Sequence, residues 1–296
     1  MNIQKWLERN TCSLKTKTVA VTGSTGGLGR ELCRYLAGIG ASLILMDRNT
    51  VRSEAFRDEL LREFDGACVK CIHADLEDIR SVYSATEALL SEPPDIFIHN
   101  AGAYSIPRHI CTSGLDNVFQ INFASPYYII KKLLPKLREV RGRVVVVGSI
   151  AHNYSKADAD DIDFHTRKQA SKVYGNAKRY LMFSLYELFK YERDVSLSVT
   201  HPGISFTNIT AHYPRAIFAL IKHPMKVIFM KPRKACLSVL CGVFDSCREC
   251  EWIGPRIFDV WGLPKKKLLR TCTCEERRFI GETAERVFAE LDRYKI

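Results

Sequence analysis

No stretch of this 296-residue chain approaches the ~18 uninterrupted apolar residues of a membrane span, and no repeat or Gly/Ser-rich linker divides it. One domain with decorations is the expected organisation. The opening residues, MNIQKWLERNTCSLKTKT, lack an apolar leader core and a small-residue cleavage site, so a cytoplasmic location is expected. Carboxylates are scarce against cations, 33 to 44, leaving a formal net charge of +11. That imbalance favours a dinucleotide, an acidic lipid surface or a nucleic acid as partner; no nucleic-acid-binding motif accompanies it, and no such partner is expected. The eleven cysteines are an odd number in a chain without an export signal, which reads as reduced thiols rather than a disulfide framework.

Short β-branched or aliphatic runs at residues 18–22, 42–46, 67–73, 95–99, 143–147 and 196–200 alternate with helical patterns near 28–37, 51–64, 79–90, 127–137 and 172–191. Such alternation predicts an α/β fold, a Rossmann-type doubly wound parallel sheet with helices on both faces. The run RVVVVGS supports it, because a strand covered on both sides loses its polar alternation. The expected layout is a lead over 1–16, a dinucleotide-binding and catalytic core over 17–207, a small helical lid over 208–250, and a last strand, RIFDVWG, with a C-terminal helix from Glu275 onward within 251–296.

In VAVTGSTGGLGRELCRYL an apolar run meets four glycines and then a helical pattern. A strand feeding a glycine turn that opens a helix sets backbone N–H groups and the positive helix end where a pyrophosphate can sit. Gly23, Gly27 and Gly29 fit GxxxGxG; Gly23, Gly26 and Gly29 fit GxxGxxG. Further on, YGNAK sets Tyr174 and Lys178 four apart, on one face of a helix. An ammonium neighbour stabilises a phenolate, so Tyr174 is expected to have a lowered pKa and to serve as acid or base.

These elements, taken in order, resemble the compact short-chain dehydrogenases/reductases over about residues 18–207, and the wide spacing of Ser149 and Tyr174 resembles the retinol-dehydrogenase-like branch. HNAG matches at Asn100, Ala101 and Gly102; HADL supplies Asp75 and Leu76; INFASPY supplies Asn122; VGSI supplies Ser149; HPGISFT supplies Pro202, Gly203, Ile204 and Thr207. The resemblance implies Asn122, Ser149, Tyr174 and Lys178 as catalytic residues, with Ser149 holding the substrate oxygen, Lys178 reaching the nicotinamide ribose and Asn122 fixing a relay water. It implies a cofactor cradle of Gly23, Ser24, Thr25, Gly27, Leu28 and Gly29, and a homo-oligomer. NAD is the expected cofactor, because Asp47, ending the second strand, would accept from ribose hydroxyls and repel a 2′-phosphate; Arg48 beside it keeps NADP as the alternative. The expected reaction is hydride transfer between the nicotinamide and a small hydrophobic secondary alcohol or ketone. A sugar-nucleotide epimerase or dehydratase, allowed by the second glycine spacing, and a non-catalytic dinucleotide sensor are the alternatives.

Two features stay open. Residues 211–244 carry six Lys/Arg and no Asp/Glu among apolar clusters, which fits a substrate lid, a peripheral membrane contact or a solvated basic face. Cys247, Cys250, Cys272 and Cys274 form two close pairs, but CxC is a cramped ligand pair and buried thiols are common, so no metal is expected. His152, His165 and His201 are given no catalytic role.

Overall fold

Alternate residues of each central strand enter two separate cores, as they must when helices cover both faces of a sheet. The structure, a computed structural model, describes residues 3–203 and 230–293. Its strands are β1 (Thr18–Thr22), β2 (Ser42–Asp47), β3 (Val69–His73), β4 (Ile96–His99), β5 (Arg143–Val147), β6 (Ser196–Thr200), β7 (Glu251–Ile257) and β8 (Trp261–Leu268), in sheet order β3-β2-β1-β4-β5-β6-β7-β8. β1 to β7 run parallel; β8 returns antiparallel along β7. Val144 and Val146 enter one core and Val145 and Val147 the other, each burial contributing about 1.5–3 kcal/mol.

The first core lies under α4 (Ile79–Ser91), α6 (Ser125–Glu139), α7 (Ala170–Leu188) and α10 (Cys274–Arg293). The second lies under α1 (Ile3–Asn10), α2 (Gly27–Gly38), α3 (Thr50–Glu63), α8 (Pro232–Ala235) and α9 (Leu237–Phe244). The one-turn α5 (Asn117–Phe119) and a π-turn over Gln120–Ala124 lead into α6. Side-chain caps set two helix starts: Asn49 accepts from the Arg52 amide and Asp78 from the Arg80 amide. The expected lead is itself partly helical, α1, whose Trp6 is buried in the second core.

The C-terminal part departs from expectation. RIFDVWG is not one strand: it contains the end of β7, a turn and the start of β8. The Val260 amide donates to the Ile257 carbonyl at 3.0 Å, with Phe258 at φ 50° and Asp259 at φ 57°. Both central residues are therefore left-handed, the geometry of a tight hairpin turn. Asn-Gly is the usual choice there; a non-glycine residue in this region costs roughly 1–2 kcal/mol. The strand β8 escapes a propensity reading because its core is PKKK. Proline and lysines suit an edge strand, where no further strand has to pair. Much of the expected lid, residues 208–229, lies outside the described residues.

A buried cation ties the C-terminal helix to the middle of the chain. Arg179, 2% exposed, donates to both Glu276 carboxylate oxygens, to the Thr271 carbonyl at 2.7 Å and to the His152 carbonyl at 3.1 Å. Removing one partner of such a pair leaves a desolvated charge. Glu276→Ala is therefore expected to lower unfolding free energy by about 3–5 kcal/mol in urea denaturation. A loss no larger than that of a surface substitution would show that water relieves the Arg179 charge.

Candidate active site

The strand β1 ends at Thr22, and the chain turns through Gly23 at φ +66° before entering α2. Added to Gly29, a Cβ would lie 2.2 Å from the Gly23 carbonyl oxygen; added to Gly23, it would lie 2.9 Å from the Ala101 Cα. Both obstacles are backbone, so these two positions, shared by both glycine spacings, admit only glycine. No side chain caps the start of α2, so its first amides are available to an anion.

The HNAG segment is stitched to this turn. Thr22 Oγ1 accepts from the amides of Asn100 and Ala101, both at 3.1 Å, and Asn100 Nδ2 donates to the carbonyls of Thr22 and Gly23. With both acceptor positions of Thr22 Oγ1 filled, its hydroxyl proton goes to His99 Nδ1, 3.1 Å away. His99 thus carries its proton on Nε2, and burial, helped by the Lys178 charge, holds its pKa well below the ordinary histidine range.

A cleft of about 750 Å³ opens along the carboxyl ends of the strands. Thr25, Gly27, Leu28, Gly29, Asp47, Arg48, Asp75, Leu76, Asn100, Ala101 and Gly102 line one part, and Ser149, Tyr174, Lys178, Pro202 and Gly203 another. Ser24 and Asn122 sit behind the wall: Ser24 donates to Asp47, and Asn122 Nδ2 donates to the Ala103 and Val118 carbonyls while its Oδ1 accepts from the Ala103 amide. Ile204 and Thr207 lie outside the described residues.

Lys178 Nζ donates to the Val147 carbonyl at 2.9 Å, and burial lowers its pKa to about 7. Gly102 keeps the space beside it open, since a Cβ there would come within 2.9 Å of Asn122 Oδ1 and 3.5 Å of Lys178 Nζ. Tyr174 hydrogen-bonds Ser149 and meets the Tyr104 ring edge-on at 5.3 Å between centroids. Its pKa departs from expectation in direction: burial pushes it up to about 12, against a smaller lowering by Ser149. Lys178 Nζ lies 5.7 Å from the Tyr174 ring centroid, and the desolvation that weakens its own charge leaves the phenol neutral in the cofactor-free site.

Asp47 also differs from the simple reading. Its carboxylate accepts from the Thr25 amide at 3.1 Å, Thr25 Oγ1 at 2.9 Å, Ser53 Oγ at 3.2 Å and Ser24 Oγ. Three of these bonds engage it with the glycine turn and the fourth with α3. Arg48 and Arg52 lie beside it on the cleft wall, both exposed, and neither meets a carboxylate among the described residues.

Two histidines set aside in the sequence support the site. His152 Nδ1 donates to the Ser149 carbonyl at 2.6 Å, so its Nε2 accepts from Thr271 Oγ1 at 2.8 Å. His201 stacks on Trp252 at 5.0 Å between centroids and lines the cleft. The late cysteines take separate partners: Cys247 donates to the Val199 carbonyl, Cys250 receives Arg277 Nη1 at 2.8 Å, Cys272 faces Glu276 and Cys274 is exposed. Among the described residues, the group with three metal-type ligand atoms within 4.8 Å is Asp161, Asp163 and His165. There the His165 ring bridges the two carboxylates, and Thr166 Oγ1 and the Asp116 amide bond them.

Comparison with known proteins agrees with this geometry. The short chain dehydrogenase family model matches residues 17–160. Short-chain dehydrogenase TIC 32 A of Brassica napus, a chloroplastic protein, is 29% identical over 67% of this chain and 67% of its own length. Mouse retinol dehydrogenase 14 is 28% identical over 82% and 81%. A solved structure of an uncharacterized protein from Mycobacterium paratuberculosis superposes with a TM-score of 0.71 at 22% identity, over 96% of this chain and 95% of that one. The chain belongs to the short-chain dehydrogenase/reductase family. Within it, the retinol-dehydrogenase-like branch is the one it joins.

The Lys178 ionisation has a measurable consequence. The unfolded chain holds this proton up to the ordinary value of 10.5, whereas the folded site releases it from about 7. Between those limits the unfolded state binds more protons, so stability rises with pH. Buried thiols whose pKa is raised from 9.0 oppose this rise above that pH, so the test is a comparison: in urea denaturation of the cofactor-free protein, the stability of wild type should have a more positive slope against pH than that of Lys178→Met. Equal slopes would mean that folding does not displace the Lys178 pKa.

Proposed function

We propose that this protein interconverts a hydrophobic secondary alcohol and its ketone, with Tyr174 carrying the proton. Its class, an oxidoreductase dependent on a nicotinamide cofactor, follows from the family. The observation that carries the finer reading is the meeting of Ser149, Tyr174 and Lys178 on one cleft beside the glycine turn. The residues fit the cofactor: Gly23 and Gly29 let the turn close against Ala101 and α2 where a Cβ would strike backbone, and the start of α2 has no side-chain cap, which suits a phosphate. When bound, the nicotinamide supplies or accepts the hydride. The Ser149 hydroxyl holds the substrate oxygen, the Tyr174 phenol gives its proton to that oxygen in reduction or removes it in oxidation, and the Lys178 ammonium favours the phenolate. Ile106, Ile150, Ala151 and Tyr154 add an apolar wall near Tyr174, which supports a hydrophobic substrate.

For the cofactor, NADP is favoured over NAD. Asp47 has its acceptor positions engaged within the protein, while Arg48 and Arg52 offer guanidinium groups to a 2′-phosphate. Arg48→Gln should cut the ratio of kcat/KM for NADPH over NADH about tenfold or more. A wild type that prefers NADH would reverse the assignment.

Tyr174→Phe should reduce turnover by about 10²–10⁴-fold and leave NADPH binding, read by quenching of protein fluorescence, nearly intact. Near wild-type turnover would reject Tyr174 as the proton carrier. Along a homologous series of secondary alcohols, kcat/KM should rise by up to about fourfold per methylene while the chain stays within the apolar wall. A flat series would reject the hydrophobic substrate.

A further inference from the structure

Four of the ten large apolar side chains that the described residues expose fall within residues 257–268, on the β7–β8 hairpin. Three cluster at its turn: Ile257 and Trp261 are cross-strand partners at 49% and 39% exposure, and Phe258, between them in sequence, is 84% exposed. Folding gains little from Phe258, because it packs against little, and holds it in the left-handed region where glycine would be easier. A residue that strains its turn and stays in solvent points to use by a partner.

The surrounding charge identifies the partner's sign. From Glu251 to Leu268 the hairpin carries four cations and two carboxylates; Glu251, at the end away from the turn, accepts from the Arg248 amide, and Lys267 Nζ bonds Asp259 at 2.8 Å. Lys266 is paired with Asp245, whereas Arg256 and Lys265 are exposed and meet no carboxylate among the described residues. A second copy of this hairpin would bring cations against cations, and Pro264 interrupts the edge a strand would pair with. The turn is also a convex tip of three side chains, too small for a specific protein interface of about 800 Å² per partner. A fluid surface with anionic headgroups needs neither shape complementarity nor area of that kind.

Its place in the fold gives the contact a direction. The strand β7 runs parallel to β6, so the turn leaves the sheet on the edge where the cleft opens. The Asp259 carbonyl bonds His201 Nε2 at 3.0 Å, and a Cβ on Gly203 would lie 2.6 Å from the Val260 oxygen. Both His201 and Gly203 line the cleft.

We propose that the β7–β8 turn docks this protein on an anionic phospholipid bilayer, with Phe258, Ile257 and Trp261 below the headgroups and Arg256 and Lys265 at the phosphates. The cleft mouth is thereby held beside the lipid phase. The proposal is independent of the reaction assigned above, because binding is read without turnover.

The experiment is co-sedimentation of the full chain with phosphatidylcholine vesicles, with and without phosphatidylglycerol. Trp6 and Trp252 are buried, so a blue shift of tryptophan emission on adding vesicles reports Trp261. Binding to the phosphatidylglycerol vesicles is expected, with a blue shift and weakening by salt. Phe258→Gly, which suits the turn, should weaken binding about tenfold or more without lowering the Tm. Arg256→Gln combined with Lys265→Gln should remove the preference for phosphatidylglycerol. The proposal is overturned if wild type ignores the anionic vesicles, or if Phe258→Gly binds them as well as wild type does. It is also overturned if sedimentation shows a dimer that Phe258→Gly dissociates while vesicles go unbound.

Discussion

The approach of two strand ends sets everything else in the site. The chain leaves β1 and β4 so close together that a methyl group on Gly23 would strike the Ala101 backbone, and the Thr22 hydroxyl closes the gap by accepting two amides and donating to His99. Every bonding position of one oxygen is filled. That saturation fixes the glycine turn, the start of α2 and the path through Gly102, and Gly102 in turn leaves the room in which Lys178 and Asn122 sit. A dinucleotide bound there, as proposed above, would meet a turn already assembled, the ordering being provided by folding rather than by binding.

The same burial that organises the site also sets its resting chemistry. Desolvation moves Lys178 and Tyr174 in opposite directions, both toward their neutral forms. Without a cofactor Tyr174 therefore keeps its proton near neutrality, while Lys178 is only partly charged and supports a phenolate weakly. Positive charge arriving beside it would favour the phenolate, which links proton transfer to occupancy of the cleft.

The architecture was legible because periodicity reports it directly. The limits of β1, β5 and β6 agree with the apolar runs, and the helix patterns fall within about two or three residues of the observed helices, apart from the last turn expected for α7. The residues that line the cleft were legible because the glycine, NAG and YxxxK elements carry their own mechanical reasons. What escaped depends on neighbours distant in sequence. The bonds that Ser24, Thr25 and Ser53 give Asp47 could not be read from its place at the end of a strand. Tyr174 reads as acidified until burial is known to outweigh its partners. The edge strand β8 was hidden by residues that are favourable at an edge and unfavourable anywhere else in a sheet.

The links among Ser149, His152, Arg179, Thr271 and Glu276 bear on when the site comes into being. The serine turn is held through His152 by Thr271, and the helix bearing Tyr174 and Lys178 is held through Arg179 by Glu276. Both anchors lie downstream of the elements they hold and leave the ribosome after them. The glycine turn, the start of α2 and their bonds to Asn100 and Ala101 draw only on early residues, so a nascent chain can assemble them before the helix bearing Tyr174 and Lys178 is anchored. The glycine turn and the Ser149–Tyr174 part of the cleft are thus set at different times during synthesis, the second only when Thr271 and Glu276 have docked.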